Sequence, residues 1–278
     1  MLMKLYEIPV GDWFEALIKF FKTTFDSQFD AIREGLGFLI HQLEAALMML
    51  PWWVMLILIT ALVFRRSGKG LALFAGFGLL LIQSMGLWNE TMLTVALVIV
   101  STTMALCIGI PLGILAARKR QVERILRPLL DFMQTMPAFV YLIPAVTFFS
   151  LGIVPGAFAT IIFAMPPAVR LTQLGIKQVP EEVVEAAQSY GATPRQLLLK
   201  VQLPIAMPTI LAGVNQTIML SLSMVVIAAM IGAPGLGRVV YGSIQAMAIG
   251  RAFEGGLAIV VIAILLDRLT HSIAQKRK

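Results

Sequence analysis

Charge is scarce in this chain: 13% of its 278 residues are Asp, Glu, Lys or Arg, against roughly 25% in ordinary soluble domains. With 59% of residues hydrophobic, there is too little polar surface for one or two water-soluble domains. A single cysteine, Cys107, excludes a disulfide framework. Its place inside an apolar run predicts a buried thiol acting as a small hydrophobe. The two histidines, His41 and His271, are far apart and lack metal-ligand spacing. No paired carboxylates or nucleophile–base set is evident, so a membrane-embedded enzyme is the least supported class. Ser67-Gly68-Lys69-Gly70 lacks both the glycine five residues before Gly68 and a Ser or Thr after Lys69. It reads as a basic turn, with no ATP site expected here. Gly232, Gly235 and Gly237 follow an apolar stretch, which excludes a dinucleotide fingerprint. The N-terminus also lacks the short apolar core and cleavage site of a signal peptide.

What the chain has in quantity is long apolar runs. Seven approach the ~20 residues that cross a bilayer, near 46–64, 71–88, 91–117, 132–152, 155–174, 205–232 and 252–270. Their interiors carry no Asp, Glu, Lys or Arg near mid-membrane. Carriers driven by protons or sodium commonly place ionisable groups there, so energy for uphill transport is expected to enter from outside the bilayer. The net charge is +7, but the basic residues flank spans instead of forming a nucleic-acid face. Arg65, Arg66 and Lys69 follow the first span, and Arg118, Lys119, Arg120, Arg124 and Arg127 the third. Arg170, Lys177, Arg195 and Lys200 follow the fifth, and Arg268, Lys276, Arg277 and Lys278 the seventh. The other side has Lys4, Lys19, Lys22, Arg33, Arg238 and Arg251. Positive residues concentrate in the cytoplasm, which places the N-terminus outside and the C-terminus inside.

Residues 1–45 carry Phe14, Leu17, Ile18, Phe21 and Phe25 at helical spacing, continued by Ile32, Leu39, Leu43 and Leu47. This predicts amphipathic helices lying in the interface. Between the fifth and sixth spans, residues 178–204 read as two short helices joined by a glycine elbow. Pro180 opens the first, Glu181 and Glu182 suit its positive end, and Val183, Val184, Ala187 and Tyr190 give it an apolar face. Gly191 suits a left-handed stop. Thr193 caps a second helix with Pro194 at its first position, and Pro204 is expected to end it. Pro137, Pro144, Pro166 and Pro167 mark places where spans bend, and Gly109 and Gly113 allow close helix approach. Asn215, Gln216, Thr217, Ser221 and Ser223 make the sixth span polar enough to line a path; helix–helix hydrogen bonding explains them equally well. Phe139 and Tyr141, with Phe148 and Phe149, place a run of aromatic faces in one span, which lipid contact or packing explains as well as a ligand does.

Glu185-Ala186-Ala187, three residues, Gly191, nine residues, Val201, one residue, then Leu203-Pro204 resembles the EAA loop of bacterial ABC importer permeases. Val201 replaces the usual isoleucine. Segments 134–144, 159–180, 215–237 and 253–270 resemble the glycine betaine/proline betaine type. Apolar-run counting and the resemblance together give an all-α, polytopic transmembrane helical bundle of about seven spans with a cytoplasmic coupling-helix elbow. The N-terminal amphipathic helices are read from periodicity alone, and the resemblance assigns them no role. The parts of the chain are residues 1–45, two peripheral spans over 46–88, and a core over 89–278 containing the loop 178–204. The resemblance implies a cytoplasmic ATPase dimer seated on Glu185, Ala186, Ala187, Gly191, Val201, Leu203 and Pro204, with ATP and Mg held by that partner. It also implies a second permease copy, an extracytoplasmic substrate-binding protein, an inner-membrane location and quaternary-ammonium cargo. An ABC permease for choline alone, methionine, histidine or phosphonate is the nearest alternative, and a stand-alone carrier is a further one.

Overall fold

The computed structural model describes residues 9–275, with side chains through 270. Met1 to Ile8, including Lys4, and Lys276, Arg277, Lys278 and the His271 side chain lie outside that range. The described chain is all helical: α1 (Val10–Thr24), α2 (Asp26–Met48), α3 (Trp52–Ser67), α4 (Lys69–Ser84), α5 (Trp88–Arg118), α6 (Arg120–Thr135), α7 (Leu142–Phe149), α8 (Ile153–Lys177), α9 (Glu181–Ser189), α10 (Pro194–Gln196), α11 (Leu203–Ala228), α12 (Leu236–Gln245) and α13 (Ile249–Gln275). Short 3₁₀ turns cover Ala138–Tyr141 and Ala229–Ile231, and a π-helix covers Leu197–Gln202.

Four stretches are long and apolar enough to cross a membrane: Trp88–Arg118, Ile153–Lys177, Pro194–Ile231 and Ile249–Thr270. They correspond to the third, fifth, sixth and seventh expected spans. The other three differ from expectation. The 46–64 stretch is interrupted by a 96° bend at Met49–Pro51, so its helix begins at Trp52. Pro51 holds an extended backbone there and disfavours helix in the residue before it. The 71–88 stretch becomes α4, which is 16 residues long, or about 24 Å at the α-helical rise. That falls short of the ~30 Å hydrocarbon core. The 132–152 stretch is not one span. It breaks by 111° between α6 and the Ala138–Phe149 segment, where Met136 and Pro137 are extended. The apolar average of the stretch carries across Pro137, but the backbone does not. Counting each bent pair as one span brings the total to at most six, not seven.

The core is the trio α5, α8 and α11, with α8 packed along both partners. Lipid tails are as apolar as leucine, so close contact between backbones drives this packing more than the hydrophobic effect does. A Cβ on Gly109 would lie 2.8 Å from Ala168 Cβ, and one on Gly113 would lie 2.6 Å from the Val169 carbonyl oxygen. A Cβ on Gly213 would lie 3.0 Å from Leu171 Cβ and 3.2 Å from the Pro167 oxygen. The close approach expected at Gly109 and Gly113 is therefore present and extends to the α8–α11 contact. α8 stays one helix through Pro166 and Pro167, and Pro144 sits in the first turn of α7, where no helical N–H bond is lost.

Around the trio, α3 and α4 pair and pack against α13, burying Val63, Leu79, Ile82 and Val261 in one cluster with Leu97 and Leu236. α1 buries no side chain, as an interfacial helix would. α2 differs: Leu36 and Ile40 are buried against α5 and α8, with Phe29, Leu43 and Leu47 half-buried beside them. Phe29 stacks on Phe148 at 4.3 Å. The packed face of α2 is thus rotated from the expected stripe, leaving Ile32 and Leu39 exposed. Cys107 also departs from expectation. It lies on the exposed face of α5 with Thr103, Ile108, Pro111 and Leu115, because α8 and α11 occupy the opposite face.

Candidate functional site

The elbow between α8 and α11 is built almost entirely from local chemistry. Pro180 is extended before α9, and Glu181 and Glu182 occupy the first turn, where the helix dipole favours anions. α9 ends in a Schellman motif. The Ala192 N–H donates to the Ala187 carbonyl (3.1 Å) and the Gly191 N–H to the Gln188 carbonyl (2.8 Å). Gly191 adopts φ +78°, the left-handed conformation the motif requires. Two residues after Gly191, Thr193 closes a capping box: its Oγ1 accepts from the Gln196 N–H, and its own N–H donates to Gln196 Oε1 at 2.9 Å. Both ends of the turn are therefore fixed by hydrogen bonds.

α9 packs on the π-helix through its inner side, where Val184 and Ala187 are half-buried. Val183, Glu185, Ala186 and Tyr190 face outward, and Tyr190 is 94% exposed. The expected apolar face is thus divided, with Val184 and Ala187 turned in and Val183 and Tyr190 turned out. Leu198 anchors the base of the elbow in a cluster with Ile176, Ala206 and Ile210, bordered by Leu203. Val201 is half-buried and Pro204 exposed.

Pro204 does not end the second helix. Helix runs without interruption from Pro194 to Ile231, 38 residues in all, or about 57 Å. The reason is the π-helix: the Leu203 N–H donates to the Leu198 carbonyl, five residues back. A proline in an α-helix clashes with the carbonyl four residues before it, and the wider π turn relieves that clash. The elbow is consequently continuous with α11.

On α11, Thr217 and Ser221 are buried and bonded within the bundle. Thr217 Oγ1 donates to the Gly213 carbonyl (2.9 Å), Ser221 Oγ to the Thr217 carbonyl (2.9 Å), and Thr102 Oγ1 to Ser221 Oγ (3.0 Å). Asn215 is half-buried, whereas Gln216 and Ser223 lie on an exposed face of the helix with Met219. Tyr141 is buried, and its hydroxyl donates to the Met133 carbonyl, closing the break after α6. Phe139 is exposed. Thr102→Val is expected to cost about 1 kcal/mol of stability, the scale of hydrogen bonds between membrane helices. Denaturant unfolding in detergent would read it. A several-fold loss of uptake at unchanged stability would instead assign the pair to the transport path.

Sequence reasoning missed three features. Thr94 Oγ1 accepts from the Leu236 N–H (2.8 Å) and donates to the Glu90 carbonyl (2.7 Å), fixing the start of α12 to α5. Arg251 Nη1 donates to the Met85 carbonyl (2.7 Å), fixing α13 to the turn after α4. Two ion pairs, Lys177 with Glu123 (2.6 Å) and Arg170 with Asp131, tie α8 to α6 across a pocket of about 340 Å³. Read only as topology signals, these charges gave no hint that they pair. The Lys177 hydrogen bond holds the Glu123 carboxyl below its ordinary range, with smaller help from Gln173 and Arg127. A depressed carboxylate contributes stability above its unfolded pKa and loses it as pH falls through its folded value. Acidification is therefore expected to destabilise the parent, and Lys177→Gln to remove part of that dependence. Melting curves of both across the acid range would check this, and coincident pH profiles would exclude the tie.

The apolar bundle and its hydrogen-bonded elbow define a class, a polytopic membrane protein with a compact element standing outside its core helices. The binding-protein-dependent transport system inner membrane component family matches residues 109–278, and the chain belongs to it. The chain is 48% identical to the glycine betaine transport system permease protein OpuAB of Bacillus subtilis over 275 residues, covering 99% of this chain and 98% of that one. It is 46% identical to the glycine betaine/proline betaine transport system permease protein ProW of Escherichia coli, covering 96% of this chain and 76% of the relative. The fold is similar to the MetNI methionine ABC transporter in an inward-facing conformation. That likeness has a TM-score of 0.60 at 22% identity and covers 66% of this chain and 93% of that one.

Proposed function

We propose that this chain translocates glycine betaine and related quaternary-ammonium osmolytes inward by alternating access, driven by a separate ATPase dimer that holds ATP and Mg. The observation that carries the reading is the elbow. A compact amphipathic element, pinned at both ends, stands exposed at the end of a core helix, in a chain nearly half identical to relatives named for glycine betaine. Glu185, Ala186 and Tyr190 form its outward surface. Gly191 sets its turn, and Val201, Leu203 and Pro204 join it to α11. The small Ala186 at this surface permits close seating of a partner.

The substrate path is proposed along α11, and geometry favours Gln216 and Ser223 with Phe139 over the internally bonded Thr217, Ser221 and Tyr141. A glutamine facing lipid is costly. We therefore read the exposed Gln216–Met219–Ser223 stripe as facing water and a second copy of the chain in a homodimer. An extracytoplasmic binding protein delivers the ligand. We divide the chain into the N-terminal helices α1 and α2, the peripheral helices α3 and α4 and a core from α5 onward, with the expected 45/46 boundary moved to the Met49–Pro51 bend because α2 runs to Met48. It sits in the inner membrane with its N-terminus outside and its C-terminus cytoplasmic.

The test is uptake of radiolabelled glycine betaine by the complete complex in liposomes, competed with choline, carnitine, proline betaine and methionine. ATP-dependent uptake blocked best by betaines is expected. Competition by methionine alone would overturn the cargo. Accumulation by the purified chain alone under an ion gradient would overturn the ATP-driven reading.

A further inference from the structure

We infer that the π-helix Leu197–Gln202 is a compliant joint that lets the elbow move with its partner while α11 stays seated in the core. The inference rests on the reading of the elbow as the ATPase seat and assigns a role to a segment that reading leaves unused. α9 packs directly on the π-helix, so force applied to the elbow passes through it. Upstream the elbow is stiff, held by the Schellman motif and the Thr193–Gln196 capping box. Downstream α11 is fixed by the Thr102–Ser221 bond and by the close contact of Gly213 with the Pro167 carbonyl. Between these rigid parts the 38-residue helix leaves α-geometry before its last turn at one place, where the Leu203 N–H reaches back five residues.

A π turn holds one extra residue without rotating the helix on either side, and its hydrogen bonds can step from five-residue to four-residue spacing one at a time. Pro204 withholds the next N–H, so no α-helical bond to Lys200 competes there. Displacement of α9 is thus absorbed as a change in local winding. Without the joint, the elbow could move only by dragging the whole of α11 against α8.

The alternative is that the π turn merely makes room for Pro204. Deleting Lys200 in a Pro204→Ala background removes the extra residue and the proline together, giving a continuous α-helix with both faces in phase. Pro204→Ala alone is the reference. Each chain is assembled with its ATPase and binding protein in liposomes, and association, melting temperature, ATP turnover and betaine uptake are measured. The joint predicts unchanged association and melting, with ATP turnover and uptake both falling at least about fivefold, the lower edge of typical coupling between sites. Turnover equal to the reference overturns the joint and leaves proline accommodation. Deletion of Leu199 in the same background is the second variant. If neither deletion assembles, the π turn serves folding and the inference falls. Failure of the underlying reading looks different: the ATPase does not load on the parent chain at all, which sinks both.

Discussion

Gly191→Val is expected to weaken productive ATPase association about tenfold while leaving the permease folded and inserted. Nothing lies within 4 Å of the position a Gly191 Cβ would take, so no clash is involved. The penalty is conformational. At φ +78° an L-residue is disfavoured by roughly 1–2 kcal/mol, more when β-branched. Losing that conformation would dissolve the bonds from Gly191 and Ala192 to Gln188 and Ala187 and let α9 swing away from the π-helix. Because α9 buries no residue fully, the bundle has little stability at stake there. Association is expected to weaken about tenfold, the equivalent of ~1.4 kcal/mol. Asparagine tolerates the left-handed region, so Gly191→Asn is expected to restore most of it. Pull-down of the ATPase, together with uptake, reads the series. Normal values for valine in both would remove the elbow from the mechanism.

Gly113→Ala is expected to act in the opposite way, through stability. Its added carbon would sit 2.6 Å from the Val169 carbonyl oxygen, 2.7 Å from Thr172 Cβ and 3.1 Å from Thr172 Cγ2. A backbone oxygen has no rotamer to change, so α5 and α8 must separate, giving up contacts along the central packing of the bundle. Overpacking of this kind costs about 1–3 kcal/mol, and the upper end is expected where backbone is the obstacle. Gly242→Ala in α12 is the control: it meets nothing within 4 Å, and alanine is intrinsically the better helix former by up to ~1 kcal/mol. Melting temperatures in detergent would separate the two. Equal stability of both variants would show that α5 and α8 do not need their close approach.

These two glycines illustrate what the sequence could disclose. The turn at Gly191 was legible, because Pro180, Gly191 and Thr193 each act on their immediate neighbours, while the Gln196 half of the capping box was not read. The continuation past Pro204 was not, since a helix that widens to take a proline leaves no signature in composition. The break at Pro137 was anticipated as a bend, yet the apolar average over 132–152 still read as one span. The stripe on α2 and the side of α5 that carries Cys107 depend on where α8 lies, and periodicity alone cannot supply that. The polar residues of α11 were found, but their division into bonded and exposed members needed the position of Thr102.

The kink between α6 and α7 has a consequence for solvent. Oil cannot hydrate the backbone groups freed where a helix stops, so irregular chain at membrane depth persists only where protein covers it or water reaches it. The Tyr141 hydroxyl takes one such group, the Met133 carbonyl, but the amides that open Ala138–Tyr141 have no preceding turn to bond. Deuterium is expected to enter at 138 and 139 long before it enters the neighbouring α8, because those two amides open a helix with no turn before them.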